Sequence, residues 1–130
     1  MCGIVGILNS ESLKSEAIEI LKKLEYRGYD SAGISLFSEH KIKTIKSVGK
    51  ISNLEKKSKN IKDKSFSGVI GHTRWATHGV VNRNNAHPFA NENLTLVCNG
   101  IIENYGQIQN RYKEIPKNIK SDIEVSFYYL

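Results

Sequence analysis

Three stretches of this chain carry side chains that could react together. They are the N-terminus Met1-Cys2-Gly3-Ile4-Val5-Gly6, the loop Gly71-His72-Thr73-Arg74-Trp75-Ala76-Thr77-His78-Gly79, and the segment Cys98-Asn99-Gly100. Cys2 is small enough for the start methionine to be trimmed away, which would put a thiol and a free α-amine on one residue. An α-amine has an ordinary pKa of about 7.7–8.0 and a cysteine thiol one of about 8.5. Near neutral pH the amine therefore has a neutral fraction able to take the thiol's proton, directly or through one water. Nucleophile and base then sit on the same residue. Gly3 and Gly6 let the chain bend and let a substrate approach the backbone.

Taken singly, each of these residues has an ordinary structural reading. Cys2 could be an incidental buried thiol, Arg74 a surface ion-pair partner and Trp75 plain core. His78 and His87 could be satisfied loop histidines, and Asn99-Gly100 a turn. Taken together they fit acyl transfer from a side-chain amide. That reaction needs a nucleophile, an oxyanion site, a clamp for the charged end of the substrate and something to exclude water. Cys2 supplies the first. The Asn99 side-chain N–H and the Gly100 backbone N–H make a compact oxyanion hole, in which one lost donor costs about 10²–10³ in rate. Arg74 can grip a carboxylate bidentately, and Asp122 can receive an α-ammonium. Those two charges on a substrate with a side-chain amide point to glutamine or asparagine. Trp75, in a glycine-flanked loop, suits a lid.

The elements that must position these groups are legible in the hydrophobic pattern. The chain is 130 residues, 39% hydrophobic and 25% charged, enough for one domain with a real core. No apolar run approaches the roughly 18 residues of a membrane span. The N-terminus lacks the plan of a signal peptide. Two cysteines make neither a disulfide framework nor a zinc site, so a cytoplasmic setting is expected. The net charge is +6, and Lys41 to Lys64 holds nine lysines against Glu55 and Asp63. Arginine and interleaved aromatics are missing from that segment, so it reads as a solvated face and not as a nucleic-acid surface.

Cys2 to Leu8 reads as a short buried strand. Leu13, Ala17, Ile20, Leu21 and Leu24 mark one face of a helix, with Ser12 as N-cap, Glu16 in the first turn and Gly28 as the stop. Ser31–Phe37 and Lys41–Ser47 read as two strands joined by a hairpin-like link. Ile51, Leu54, Ser58 and Ile61 suggest a short, mostly exposed helix. A buried strand lies around Val69-Ile70, followed by a long polar loop from Arg74 to Asn93, a length that points to function. Leu94–Cys98 reads as a strand, and Ile101, Tyr105, Ile108 and Tyr112 as a helix that Pro116 ends. Ser121 and Glu124 have capping-box spacing, with Ile123, Phe127 and Leu130 as the stripe of the last helix. Leu130 falls only about two turns after that cap, so the sequence is expected to stop within an element. Open sheet edges are expected to follow, an aggregation liability.

Several of these stretches closely resemble one family. They are Cys2-Gly3-Ile4-Val5-Gly6, Leu24-Glu25-Tyr26-Arg27-Gly28-Tyr29-Asp30-Ser31-Ala32-Gly33, His72-Thr73-Arg74-Trp75-Ala76-Thr77-His78-Gly79, Asn85-Ala86-His87-Pro88 and Asn99-Gly100-Ile101-Ile102-Glu103-Asn104. They are similar to the glutaminase domain of the glutamine–fructose-6-phosphate aminotransferase (glucosamine-6-phosphate synthase) family. These are class II glutamine amidotransferases within the N-terminal-nucleophile hydrolases. The Tyr26-Arg27-Gly28-Tyr29-Asp30 and Arg74 to Gly79 wording separates that family from amidophosphoribosyltransferases, asparagine synthetases and glutamate synthases.

The resemblance implies an α+β fold, an αββα sandwich of two antiparallel sheets. Residues 1–130 would be about half of the glutaminase domain, without the sugar-isomerase domains. It implies Cys2 as nucleophile, Asn99 and Gly100 as oxyanion hole, and Arg74 on the glutamine carboxylate with Thr77 and His78. Asp122 would sit on the amine and Trp75 in the closing loop. It implies no metal or organic cofactor, a homodimer at full length, and fructose 6-phosphate bound only by further domains. Two departures stand out: Cys98 where the family usually has histidine, and Ile123 where it usually has threonine. Cys98 is expected beside the oxyanion site, in range for oxidative pairing with Cys2. A stand-alone glutaminase, another amidotransferase half, or a non-catalytic fragment or binding module stay open as alternatives.

Overall fold

A computed structural model of the chain describes residues 2–28, 30–75, 85–119 and 121–130. The first strand, β1 (Gly3–Leu8), leads into helix α1 (Leu13–Leu24) and a 3₁₀ turn at Glu25–Arg27. Strands β2 (Ser31–Ser38) and β3 (Lys41–Val48) form a hairpin closed by Glu39 and His40, in the register Ser38 opposite Lys41. Helix α2 (Ile51–Ser58) and strand β4 (Gly68–Arg74) follow. The four strands make one antiparallel sheet in the order β1-β4-β2-β3. The short strands β5 (Phe89–Ala90) and β6 (Thr95–Leu96) pair antiparallel as a second sheet, and helices α3 (Tyr105–Arg111) and α4 (Asp122–Tyr129) complete the chain.

Strand alternation gives the large sheet two unlike faces. The register sets Val5, Gly71, Ile34 and Ile45 in one row. That row belongs to a core that also holds Leu36 and Val69 from the sheet, Leu13, Ala17, Ile18 and Leu21 from α1, and Ile51 and Leu54 from α2. Gly71 lies directly under the helix. A methyl there would lie 2.9 Å from Val5 Cγ1 and 3.0 Å from Leu21 Cδ1. The opposite face carries the row Ile4, His72, Gly33 and Lys46. It meets β5 through His72, His87 and Phe89, and α4 packs on β5 and β6 in a cluster of Phe89, Ile123 and Phe127. The layers therefore run helix, sheet, sheet, helix.

Several expectations shift. The first strand is not buried on both sides: Val5 is 6% exposed, but Ile4 is 44% and Leu8 67% exposed, because their face of the sheet is only partly covered. Helix α1 is rolled relative to the expected stripe, so that Ile18 turns in at 4% exposure and Ile20 turns out at 38%. Ser12 makes no side-chain cap. Ser10 Oγ instead accepts from Ser12 N–H (3.1 Å) and donates to Glu16 (2.7 Å). Gly28 has extended backbone, not the left-handed cap of a helix stop. It is there because a methyl would meet the Arg74 carbonyl carbon and Trp75 nitrogen at 2.8 Å.

Helix α2 has the expected exposed character around a buried Ile51, Leu54 and Ser58. Its N-terminal Ile51 N–H is capped from outside by Glu25 Oε2 at 2.6 Å. The polar loop after Arg74 contains β5, and the expected Leu94–Cys98 strand is paired only at Thr95–Leu96. Ile101 lies outside α3 and is 64% exposed. Ser121 caps α4 as expected by accepting from Glu124 N–H at 3.4 Å. The buried side chains of that helix are Ile123, Val125 and Phe127, while Leu130 is 76% exposed.

Candidate active site

Cys2 is the residue before β1, and its position is set by the start of that strand. Gly3 N–H donates to the buried Thr73 Oγ1 at 3.0 Å, tying the chain end to β4. A methyl on Gly3 would meet Leu24 Cβ and that same hydroxyl oxygen at 2.9 Å, so only glycine lets β1 lie this close. The half-buried Cys2 thiol then faces the end of β4: Trp75 N–H donates to Cys2 Sγ at 3.4 Å, and Sγ lies 3.9 Å from Trp75 O. Asn99 reaches the same residue from the other side, with Nδ2 donating to Cys2 O at 3.0 Å. The amide nitrogen carries two hydrogens, so one anchors Cys2 and the second can serve another acceptor.

Asp122 opens α4 and accepts Ile102 N–H at 2.7 Å, which ties that helix to the chain just after Asn99-Gly100. Arg74 ends β4 next to Trp75, and its charge is felt by both His72 and His87. Trp75 is 48% exposed. The structure thus brings Trp75 and Asn99 each into contact with Cys2; Arg74 and Gly100 are their chain neighbours, and Asp122 is tied to the segment after Gly100 through Ile102. Thr77 and His78 lie outside the described residues. Cys98 and Cys2 are free thiols. Burial, then the Asp122 and Cys2 charges, push the Cys98 thiol up, which holds it protonated and a poor nucleophile. A methyl on Gly100 would sit 3.8 Å from Cys98 Sγ, so this thiol does border the Asn-Gly pair. A cavity of about 710 Å³ between β3, β5 and α4 includes Lys46, Phe89 and Glu124 in its wall, but not Cys2, Asn99 or Asp122.

Among the described residues no group of three or more histidine, cysteine or acidic side chains is arranged to hold a metal, and no helix is long and apolar enough to cross a membrane.

Sequence reasoning missed two residues that hold Cys98. His72 and His87 are 1% and 6% exposed, with ring centroids 4.3 Å apart. Burial is the main cause that lowers His72 to about 4, with the Arg74 charge adding and the Cys98 carbonyl opposing. Burial again leads at His87, lowered to about 3, helped by the charges of His72, Arg74 and Lys46. Both rings are therefore neutral at neutral pH.

An unfolded histidine titrates near 6.5. The stability these rings contribute is complete above that value and is lost as pH falls from about 6.5 toward 4 and 3. There the unfolded chain takes up protons that the folded chain refuses. Each unit is worth about 1.4 kcal/mol. The urea midpoint is expected to fall between pH 7 and pH 5, before most carboxylates titrate. A flat midpoint over that range would contradict the burial-driven shifts.

No family model matches the chain. Curated relatives do. One is the glutamine–fructose-6-phosphate aminotransferase (isomerizing) of Helicobacter pylori, 50% identical over 109 residues, or 84% of this chain and 18% of that protein. Another is the enzyme of the same name from Francisella tularensis, 45% identical over 127 residues, covering 95% of this chain and 20% of that protein. The chain is homologous to the glutamine–fructose-6-phosphate aminotransferases. It spans about a fifth of the length of these aminotransferases.

Two solved structures share its fold. The allosteric regulatory enzyme of purine biosynthesis matches with TM-score 0.80 and 26% identity, over 98% of this chain and 29% of that one. The glutamine phosphoribosylpyrophosphate amidotransferase of B. subtilis matches with TM-score 0.72 and 26% identity, over 96% of this chain and 28% of that one. The fold is that of the N-terminal-nucleophile amidotransferases, as expected for a homologue of the aminotransferases.

Proposed function

We propose that this chain forms part of the glutaminase unit of a glutamine–fructose-6-phosphate aminotransferase acting in the cytoplasm. With Met1 removed, the Cys2 α-amine takes the thiol proton and Sγ attacks the glutamine side-chain carbonyl. The negative oxygen that develops rests on the Asn99 Nδ2–H and Gly100 N–H. Collapse breaks the C–N bond, the protonated nitrogen leaves as ammonia, and a γ-glutamyl thioester remains on Cys2. Water then adds to the thioester, freeing glutamate and returning the thiol. Arg74, with Thr77 and His78, holds the substrate carboxylate, and Asp122 holds its ammonium through the oxygen not engaged by Ile102. Trp75 belongs to the segment that closes over glutamine.

In the whole protein, a homodimer, the ammonia passes to fructose 6-phosphate bound by further domains and yields glucosamine 6-phosphate. The observation that carries this reading is the 3.0 Å contact between Asn99 Nδ2 and the backbone of Cys2, which joins nucleophile and oxyanion donor. The similarity to named aminotransferases supports it.

The test is labelling by a glutamine analogue with an electrophile in place of the amide, read by mass spectrometry of the intact protein and its peptides. The expected result is one adduct on a residue 2 that has lost Met1, blocked by excess glutamine. An adduct only on Cys98 would sink the assignment.

A further inference from the structure

We propose that His72 and His87 are positioning residues of the oxyanion corner: as a pair of rings in contact they hold Cys98 at both its N–H and its C=O, and so set Asn99 against Cys2. This rests on the glutaminase reading of the site. The geometry is direct. Cys98 N–H donates to His87 Nδ1 at 3.4 Å. His72 Nε2 lies 3.2 Å from Cys98 O. A carbonyl only accepts, so His72 carries its proton on Nε2. An amide N–H only donates, so His87 Nδ1 is a bare lone pair and its proton is on Nε2. The Cys98 carbonyl belongs to the peptide unit that joins Cys98 to Asn99. Fixing that unit fixes where the Asn99 backbone nitrogen and Cα lie, and from there its Nδ2 reaches to 3.0 Å from Cys2 O.

The surroundings hold both rings still. His72 projects from β4 in the row Ile4, His72, Gly33 and Lys46. Gly33 lets the His87 backbone lie against β2: a methyl there would overlap the His87 carbonyl oxygen and crowd Pro88 Cδ at 3.0 Å. The far side of His87 is closed by Phe89, with ring centroids 4.9 Å apart, and Phe89 is in turn covered by Lys46 at 4.8 Å. His72 Nδ1 is buried with no hydrogen-bond partner among the described residues. Such a group is costly to keep in a core. A leucine of similar size would fill the space without that cost, so packing alone does not account for a histidine here. The bond to Cys98 O does.

The experiment compares His72→Leu and His87→Leu with His72→Gln and His87→Asn in the intact protein. Glutamine Nε2 can replace the His72 donor, and asparagine Oδ1 can replace the His87 acceptor. Each leucine variant is expected to lower kcat for glutamine hydrolysis by about 10–100-fold with KM changed less than about threefold, because the lost alignment acts on the developing oxyanion. The Gln and Asn variants should recover most of that loss. Cys2 alkylation by iodoacetamide, which needs no oxyanion hole, should stay near the wild-type rate in all four, showing that the fold and the nucleophile are intact. Imidazole ¹⁵N shifts of the wild type should show both rings protonated on Nε2 alone from pH 5 to 8.

Leucine variants with wild-type kcat overturn the inference. So does a fall in which alkylation drops equally and the conservative variants give no rescue, and so do rings in the other tautomer. A wild type that fails to hydrolyse glutamine while the ring shifts come out as expected counts against the glutaminase reading and not against the histidine clamp.

Discussion

Replacing Cys2 by alanine is expected to cut glutamate release from glutamine by about 10⁴-fold or more, since removing a nucleophile leaves only binding and oxyanion stabilisation. The remaining geometry has no substitute for it. The Trp75 N–H that lies 3.4 Å from Sγ would face a methyl group. Cys98 is the other thiol nearby, but burial and the Asp122 charge keep it protonated even when the Cys2 charge is gone. Glutamine should still bind, because the proposed clamps Arg74 and Asp122 are untouched, and calorimetry on the Cys2→Ala protein checks that. A Cys98→Ala protein should keep both turnover and the adduct on residue 2. Glutamate release that survives Cys2→Ala intact would remove the thioester mechanism altogether.

The second large effect is at Asn99. Its Nδ2 anchors the Cys2 carbonyl at 3.0 Å, and under the proposed mechanism its second hydrogen serves the substrate oxygen. Asn99→Ala loses the donor and the anchor together, and a fall in kcat of about 10²–10³ follows from the missing oxyanion donor. Asn99→Asp should fall at least as far. Its size is unchanged, but a carboxylate would face both the Cys2 carbonyl and the developing oxyanion with acceptors only. Thioester formation, followed by quenched-flow trapping of the acyl-protein, should slow in step with kcat. Iodoacetamide should still alkylate Cys2 at close to the wild-type rate. Asn99→Ala activity within about threefold of wild type would mean that the oxyanion rests elsewhere, given the usual cost of such a donor.

Homology to the aminotransferases makes the site's composition less surprising than the way it is held. The Tyr26–Gly28 turn bears on the backbone of Arg74 and Trp75 through the missing Cβ of Gly28. The Thr73 hydroxyl sets the first amide of β1. These contacts place the Gly3 amide beside the thiol and the Trp75 N–H that faces it, so the thiol is positioned through the backbone on both strands.

By itself the sequence determined what is local. The thiol beside a potential α-amine, the Asn99-Gly100 pair, the Ser121–Glu124 cap, the hairpin-like link after Phe37 and the four strands of the main sheet all follow from residues a few positions apart. Periodicity located α1 but could not set its roll, because Ile18 and Ile20 flank the same stripe and only the sheet and α2 beneath decide which turns in. Tertiary structure alone decided the rest. Asn99 meets Cys2 across 97 positions, Gly3 meets Thr73 across 70, and His72 meets Cys98 across 26. A side chain whose partner lies that far along the chain leaves no local pattern. His87 therefore reads as a loop histidine until the fold sets it against His72 on one peptide, and nothing local shows that Gly33 must leave room for the His87 carbonyl.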